Sequence, residues 1–326
     1  MLLQKTPSIL RISHSTFRNM PKREHHKLRE LYDIIVVPGL LLSSRSRSAS
    51  DLGYALGHAN RPAFVLGIGS ETDASLAEFA PSVRPSVQSL LRQILVAGGD
   101  FAFRGDFSAE VAARAGFRSD AVFGCPSMYW LDDECDWQDP DDNPETAIAF
   151  HGQQTLGSSL AFLVRRRGVF IDQNPSLRLK ELGPILFGMR QSALFSNRFA
   201  TFANLWDWIS FLKVSGTRFS FGTRLHGTIA SLLAGVPAVV SHRRGVRTRE
   251  VANTFAIPST EFPATMSEAI GSWNPLPVVS AVRTLRPMFS AWLNARGVPM
   301  NPRKSSGAED DLRALLFVAT GHEQRH

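Results

Sequence analysis

The chain has 326 residues, of which 44% are hydrophobic and 20% charged, an ordinary globular composition with enough apolar residues for one large core or two smaller ones. Its 36 Lys and Arg against 29 Asp and Glu give a net charge of +7, which suits partners that carry phosphate or carboxylate groups. No recognised nucleic-acid-binding motif accompanies this charge, so we do not expect nucleic acid as a partner.

The cysteines and the apolar runs bear on the compartment. Cys125 and Cys135 match neither a zinc-binding pair nor a Cys-x-x-Cys motif, which predicts two thiols in a reducing compartment. The first thirty residues are polar and basic, and Gly235 and Pro237 interrupt the longest apolar stretch. We therefore expect a cytoplasmic chain with neither a signal peptide nor a membrane span, although its arginines would suit an anionic membrane face.

The first half alternates predicted strands and helices after a basic extension over residues 1–30. Continuous runs such as Ala63-Phe-Val-Leu-Gly-Ile-Gly69 predict strands that are buried on both faces of a parallel sheet. Ser108 is the expected N-cap of a helix. The predicted strands are 33–38, 63–69, 99–104 and 121–124, and the predicted helices are 49–59, 87–97 and 108–115.

An acidic stretch with prolines, residues 131–145, separates the two halves and is the expected linker. It lacks the glycine and terminal glutamate of a calcium-binding loop at the required spacing. The strand and helix alternation then resumes, with strands at 147–150 and 168–172 and helices at 156–167, 204–212, 248–255 and 279–296. This pattern predicts an α/β fold of two Rossmann-like domains facing across a cleft, an N-terminal one over 31–130 and a C-terminal one over 146–326.

The segment 219–241 reads as strand, polar turn, apolar helix and second strand. Its turn, Gly222-Thr-Arg-Leu-His-Gly227, places Arg224 and His226 where a buried strand ends and a helix, expected near Thr228, begins. We expect Gly222 and Gly227 to let the backbone approach a bound group. A guanidinium and an imidazole here suit a small anion on which proton chemistry is done. The alternative is a surface arginine beside a histidine at a helix start.

Two further groups of arginines follow predicted strands. Arg243, Arg244, Arg247 and Arg249 follow Ser241, and Glu250 is an expected partner for one of them; an anion-binding loop and a solvated basic loop are both open. In the first half, Arg104 lies at a strand end, where it would bind an anion or pair locally with Asp106.

Two more segments are candidates at strand ends. Ser43-Ser-Arg-Ser-Arg-Ser48 would cradle an anion or form a flexible surface loop. His151, Gln153 and Gln154 follow the first strand of the second half, where they would bond sugar hydroxyls or serve as caps. Both interpretations stay open for each segment.

Several of these motifs together resemble the polysaccharide pyruvyl transferase family. The later motifs are Gly222-Thr-Arg-Leu-His-Gly227, Ala234-Gly-Val-Pro-Ala238 and Arg247-Thr-Arg-Glu250. The earlier segments, in the order of the family's motifs, are 32–39, 61–69, Phe103-Arg-Gly-Asp-Phe-Ser108 and 124–127. The resemblance therefore spans about residues 31–270. It implies a glycosyltransferase-B-like pair of domains, with the acceptor on the N-terminal side and the donor on the C-terminal side.

The resemblance also implies an activity: transfer of pyruvate from phosphoenolpyruvate, the co-substrate, onto two sugar hydroxyls as a cyclic ketal, without a metal or cofactor. The acceptor would be a polysaccharide or its lipid-linked precursor, which would bring the chain to the inner face of the membrane.

Site roles follow from the same resemblance. His226 becomes the acid/base candidate, Arg224 and Arg104 the donor-binding pair, and Arg247 the basic residue after the next strand. Because that loop is longer than is usual in the family, Arg243 or Arg244 are alternatives to Arg247. The expected donor contacts also include Thr223, Leu225 and Gly227, and the expected acceptor contacts are His151 and Gln153.

Two other functions fit the same fold class. A sugar-nucleotide glycosyltransferase would use the basic loop for a diphosphate, and a non-catalytic relative would bind an anion or a partner protein.

Overall fold

The computed structural model describes residues 20–42, 48–70, 83–132, 134–135, 137, 139–140, 148–151, 168–172, 199–202, 204–242, 245–261 and 264–298. Their fold is α/β with two parallel sheets. The strands are β1 Ile35–Leu41, β2 Ala63–Gly69, β3 Asp100–Phe103, β4 Ile148–His151, β5 Gly168–Asp172, β6 Phe199–Thr201, β7 Phe219–Gly222, β8 Ala238–His242 and β9 Ser259–Glu261.

The helices are α1 Lys22–Leu31, α2 Ser48–Ala59, α3 Pro85–Val96, α4 Asp106–Arg114, α5 Leu205–Val214, α6 Leu225–Leu233, α7 Val246–Thr254, α8 Met266–Gly271 and α9 Pro275–Asn294, with a 3-10 helix at Pro126–Trp130. Within the described ranges, no helix is both long enough and apolar enough to cross a bilayer.

The described residues form two compact units. Unit 1 contains those up to Pro126 and those from Pro287 onward, and unit 2 runs from Ser127 to Arg286. These limits differ from the expected domain boundaries, because α9 passes from one unit to the other at Arg286 and Pro287. Part of the expected linker also packs within unit 2, where Trp137 Nε1 donates to the Leu232 carbonyl at 3.3 Å.

Unit 1 is built on a parallel sheet of three described strands in the order β1-β2-β3. All seven residues of β2 are buried, in agreement with the continuous apolar run that predicted it. Residues from the end of α9 complete this unit: Trp292 packs edge-on against Phe64 and Phe123. Arg296 Nε lies 2.7 Å from Asp100 Oδ2, and its guanidinium lies 4.1 Å from the Trp292 ring centroid.

Unit 2 contains a parallel sheet of six described strands in the order β6-β5-β4-β7-β8-β9. Phe219, Phe221 and Val239 pack on one face against Met266 and Ala269 of α8. Successive side chains in a strand alternate between faces. Ser220, which lies between Phe219 and Phe221, therefore belongs to the opposite face of the sheet.

Some element boundaries differ from the expectations. The segment predicted as a strand over 121–124 forms only an isolated bridge between Val122 and Phe103. Helix α4 begins at Asp106 with Gly105 as its N-cap, so Ser108 is not the cap; Ser108 is buried and its hydroxyl donates to Ser70 Oγ at 3.1 Å. The predicted helix over 156–167 and the loop before Ser48 lie outside the described residues.

Candidate functional site

The order of the strands in unit 2 locates a ligand-binding edge. Strands β4, β5 and β6 extend in one direction from the middle of the sheet, and β7, β8 and β9 extend in the other. In doubly wound sheets, ligands bind outside the carboxyl ends of the strands where this reversal occurs. Here β4 ends at His151 and β7 ends at Gly222, which are partners in the parallel register.

The turn after Gly222 carries Arg224 and His226 at this point. Helix α6 begins at Leu225 rather than near Thr228, so Arg224 is its N-cap and His226 lies in its first turn. The backbone N–H groups of Gly227 and Thr228 donate to the Arg224 carbonyl at 3.0 and 3.1 Å. Both side chains therefore lie at a helix N-terminus, where the helix dipole favours an anion.

The other expected donor-contact residues of this segment lie in the same turn. Thr223, Arg224 and His226 are half-buried, while Leu225 is 8% exposed and Gly227 is buried. The Leu225 side chain is therefore buried. The residues that the motif predicted as donor contacts therefore lie together at the start of one helix.

Gly222 and Gly227 both lie against His151. A Cβ on Gly222 would lie 1.8 Å from the carbonyl oxygen of His151, and a Cβ on Gly227 would lie 2.4 Å from Cγ of the His151 ring. Both distances are far below van der Waals contact. The space that these glycines leave is filled by His151, so their small size serves packing within the protein.

His151, for which the sequence left a sugar contact and a capping role open, is fully buried. Its ring packs edge-on against Trp208, with centroids 6.1 Å apart. Burial, with the nearby Arg224 charge, lowers the pKa of His151 from 6.5 to about 3, so the ring is neutral at physiological pH. Neither ring nitrogen has a hydrogen-bond partner among the described residues. Gln153, the other expected acceptor contact, lies outside them.

The next strand delivers Arg247 to the same edge. Strand β8 pairs in parallel with β7, and α7 begins at Val246, so Arg247 lies in the first turn of its helix as His226 does in α6. Arg247 is half-buried, and Glu250, one turn later, is 5% exposed. Arg243 and Arg244 lie outside the described residues.

Arg104 belongs to unit 1, where it follows β3. It is 9% exposed, and its Nε donates to the Gly67 carbonyl oxygen at 2.8 Å. A Cβ on Gly39 of β1 would lie 3.3 Å from an Arg104 terminal nitrogen, so the guanidinium reaches from the end of β3 past β2 to β1. Asp106 is exposed at the first position of α4.

The sequence reasoning missed the contribution of Gly67 to this arrangement. Gly67 has φ +69° and interrupts the apolar run of β2. The register of β2 with β3 shifts between Val65 and Ile68. A glycine inside a strand pattern signals such an irregularity, so it could have been noticed. In the part of the chain that the structure describes, no three His, Cys, Asp or Glu side chains cluster in a way that would hold a metal ion.

Solved structures that resemble the chain are distant in sequence. They include a putative UDP-N-acetylglucosamine 2-epimerase from Listeria monocytogenes, at 13% identity and TM-score 0.45 over 91% of this chain and 84% of that one. A UDP-GlcNAc 2-epimerase from Methanocaldococcus jannaschii is 10% identical with TM-score 0.45, over 85% and 80% of the two chains. A glycosyltransferase from Streptomyces nogalater is 12% identical with TM-score 0.38, over 86% and 79%. At these scores, the fold assignment rests on the sheet topology.

Comparison of the sequence with curated proteins gives no match. A family of sequences described as polysaccharide pyruvyl transferase matches residues 3–241, more than two thirds of the chain. The matched range includes Arg104 and the whole turn from Gly222 to Gly227, and it ends before Arg247. The chain belongs to the polysaccharide pyruvyl transferase family.

Proposed function

We propose that this protein transfers pyruvate from phosphoenolpyruvate onto two hydroxyls of a saccharide, forming a cyclic ketal. The observation that carries the proposal is the placement of Arg224 and His226 at the N-terminus of α6, beside the strand-order reversal of unit 2. Family membership supplies the reaction class. The acceptor is a polysaccharide or its lipid-linked precursor.

The donor is a small anion with a phosphate and a carboxylate on three carbons. Its recognition requires positive charge in a fixed geometry, which arginine provides through paired N–H groups. Arg224 and the start of α6 offer this in unit 2, and Arg104 is the corresponding candidate in unit 1. Arg247 lies at the start of the next helix, where its charge would stabilise the leaving phosphate.

The reaction needs one proton delivered and two removed. Addition of the first sugar hydroxyl across the C2=C3 bond places a proton on C3 and an oxygen on C2. The second hydroxyl then forms the other C–O bond at C2 as the C2–O bond to phosphate breaks, and its proton leaves with inorganic phosphate. We assign the acid/base role to His226, because an imidazole exchanges protons near neutral pH and lies beside the donor-binding arginine.

Phosphoenolpyruvate labelled with ¹⁸O in the bridging oxygen tests this directly. Ketal transfer breaks the C–O bond, so the released phosphate should carry the label and the saccharide should gain a pyruvate substituent, both seen by mass spectrometry. Unlabelled phosphate with free pyruvate would mean P–O cleavage and would contradict the proposal. Turnover of a nucleotide sugar instead of phosphoenolpyruvate would favour a glycosyltransferase.

A further inference from the structure

His151 contacts the turn between β7 and α6 at three positions. Its carbonyl oxygen accepts the Thr223 N–H at 2.8 Å. The same carbonyl lies against Gly222, where a Cβ would be 1.8 Å from the oxygen. Its ring lies against Gly227, where a Cβ would be 2.4 Å from Cγ and 2.6 Å from Nδ1. One residue at the end of β4 thus supports the turn from its first glycine to its last.

The ring of His151 has a fixed place. It is fully buried, and the Trp208 ring packs against it at an interplanar angle of 75°. Because interiors are close-packed, a ring that contacts both Trp208 and Gly227 transmits its position to the backbone of Gly227. Gly227 lies in the first turn of α6, so its backbone position determines where that turn begins.

We propose that His151 is a positioning residue for Arg224 and His226. Its ring fixes the height of the first turn of α6 above the sheet, and its carbonyl fixes the peptide that precedes Arg224. The ring is neutral, so it does this without adding a second charge beneath the arginine. The identity of the anion that these residues meet rests on the proposed function, while the packing relationship does not.

A double-mutant cycle tests the packing step. Gly227→Ala should lower the Tm, because the new Cβ collides with the His151 ring. His151→Ala removes the ring, so the double variant should have a higher Tm than the Gly227→Ala single variant. Gly222→Ala is the matched control: its Cβ collides with the carbonyl oxygen of residue 151, which alanine retains, so His151→Ala should not rescue it.

Kinetics of the full-length His151→Ala protein test the positioning step. A partly unfolded preparation would lower kcat and leave KM unchanged, since fewer active molecules bind substrate normally. Displacement of Arg224 and His226 should instead raise KM for phosphoenolpyruvate and lower kcat together, by about tenfold or more in kcat/KM.

These readouts separate failure of the inference from failure of the proposed function. If the wild-type protein turns over phosphoenolpyruvate but His151→Ala leaves its KM unchanged, the positioning role is wrong and the function stands. If the wild-type protein binds inorganic phosphate without turning over phosphoenolpyruvate, the function is wrong, and a weaker Kd for phosphate in His151→Ala would still support positioning. The inference would be overturned if the double variant had no higher Tm than Gly227→Ala. It would also be overturned if the wild-type protein bound no anion.

Discussion

The Nε atom of Arg104 donates a hydrogen bond of 2.8 Å to the carbonyl oxygen of Gly67, two residues before the end of the neighbouring strand β2. This bond and the burial of the side chain fix the guanidinium plane. A lysine carries its charge on a single ammonium group and lacks the paired N–H groups of a guanidinium. It therefore cannot donate to the carbonyl and bind an anion through two hydrogen bonds at the same time.

Arg104→Lys should therefore lower kcat/KM for phosphoenolpyruvate by about 10- to 100-fold, the value of one charge-assisted hydrogen bond. Steady-state kinetics measure this change. Arg114→Lys is the control in the same unit, because Arg114 is exposed and pairs only one helical turn away with Glu110, at 2.9 Å. Equal activity of the two variants would contradict the donor-binding role of Arg104.

His226→Ala should lower kcat by about 100-fold or more while phosphoenolpyruvate still binds, because general acid/base catalysis contributes that much and Arg224 remains. Turnover and equilibrium binding, measured on the same preparation, separate the two effects. His58→Ala provides a control histidine, whose Nδ1 lies 2.8 Å from the Tyr54 carbonyl on α2. Unchanged kcat in His226→Ala would favour a non-catalytic relative.

The stability of the protein should depend on pH through His151. Its pKa is about 3 when folded and near 6.5 when unfolded, so below pH 6.5 the unfolded chain takes up a proton that the folded one does not. The stabilisation is fully present above pH 6.5 and is lost as the pH falls from 6.5 toward 3, by up to about 1.4 kcal/mol per pH unit.

Urea denaturation of wild-type protein and of His151→Ala between pH 7 and pH 4.5 measures this slope. The variant lacks the titrating group, so its curve should be flatter over that range, while carboxylates contribute equally to both. Parallel curves would show that His151 titrates normally in the folded protein.

Alanine substitution at two glycines of unit 1 should change the stability of the protein in opposite directions. A Cβ on Gly99 would lie 2.1 Å from the Ala63 carbonyl oxygen, so Gly99→Ala should destabilise the protein by more than about 2 kcal/mol. Gly57 lies inside α2 with nothing within 4 Å of its Cβ position, so Gly57→Ala should stabilise by about 0.5–1 kcal/mol. Thermal denaturation of both variants checks the pair, and a stable Gly99→Ala protein would contradict this close approach.

The sequence predicted the parts of the fold that depend on local patterns. Apolar runs located β1 and β2, and the motif at 219–241 placed Arg224 and His226 between a strand and a helix. The exact start of α6 was missed by three residues, because Arg224 is not a typical N-cap and its side chain makes no cap bond. Strand β1 extends through Pro38 to Leu41; it is at the edge of the three described strands, and an edge position tolerates a proline.

The features that the sequence left unpredicted depend on contacts between distant residues. Gly227 and His151 touch although 76 positions separate them in the chain, and no periodicity in either segment indicates this. Helix α9 was also expected to begin later, at Val279, because its early prolines were interpreted as a break. Pro275 instead occupies the first helical position, where a missing N–H costs nothing.

The passage of α9 from unit 2 back to unit 1 has a consequence for biosynthesis. Trp292 and Arg296 pack against Phe64, Phe123 and Asp100, which are translated much earlier. A nascent chain that ends anywhere before residue 287 lacks these contacts, so unit 1 is completed only after unit 2 has left the ribosome. An expressed fragment limited to residues 1–130 would therefore expose the aromatic surface that α9 covers, and it would be prone to aggregation.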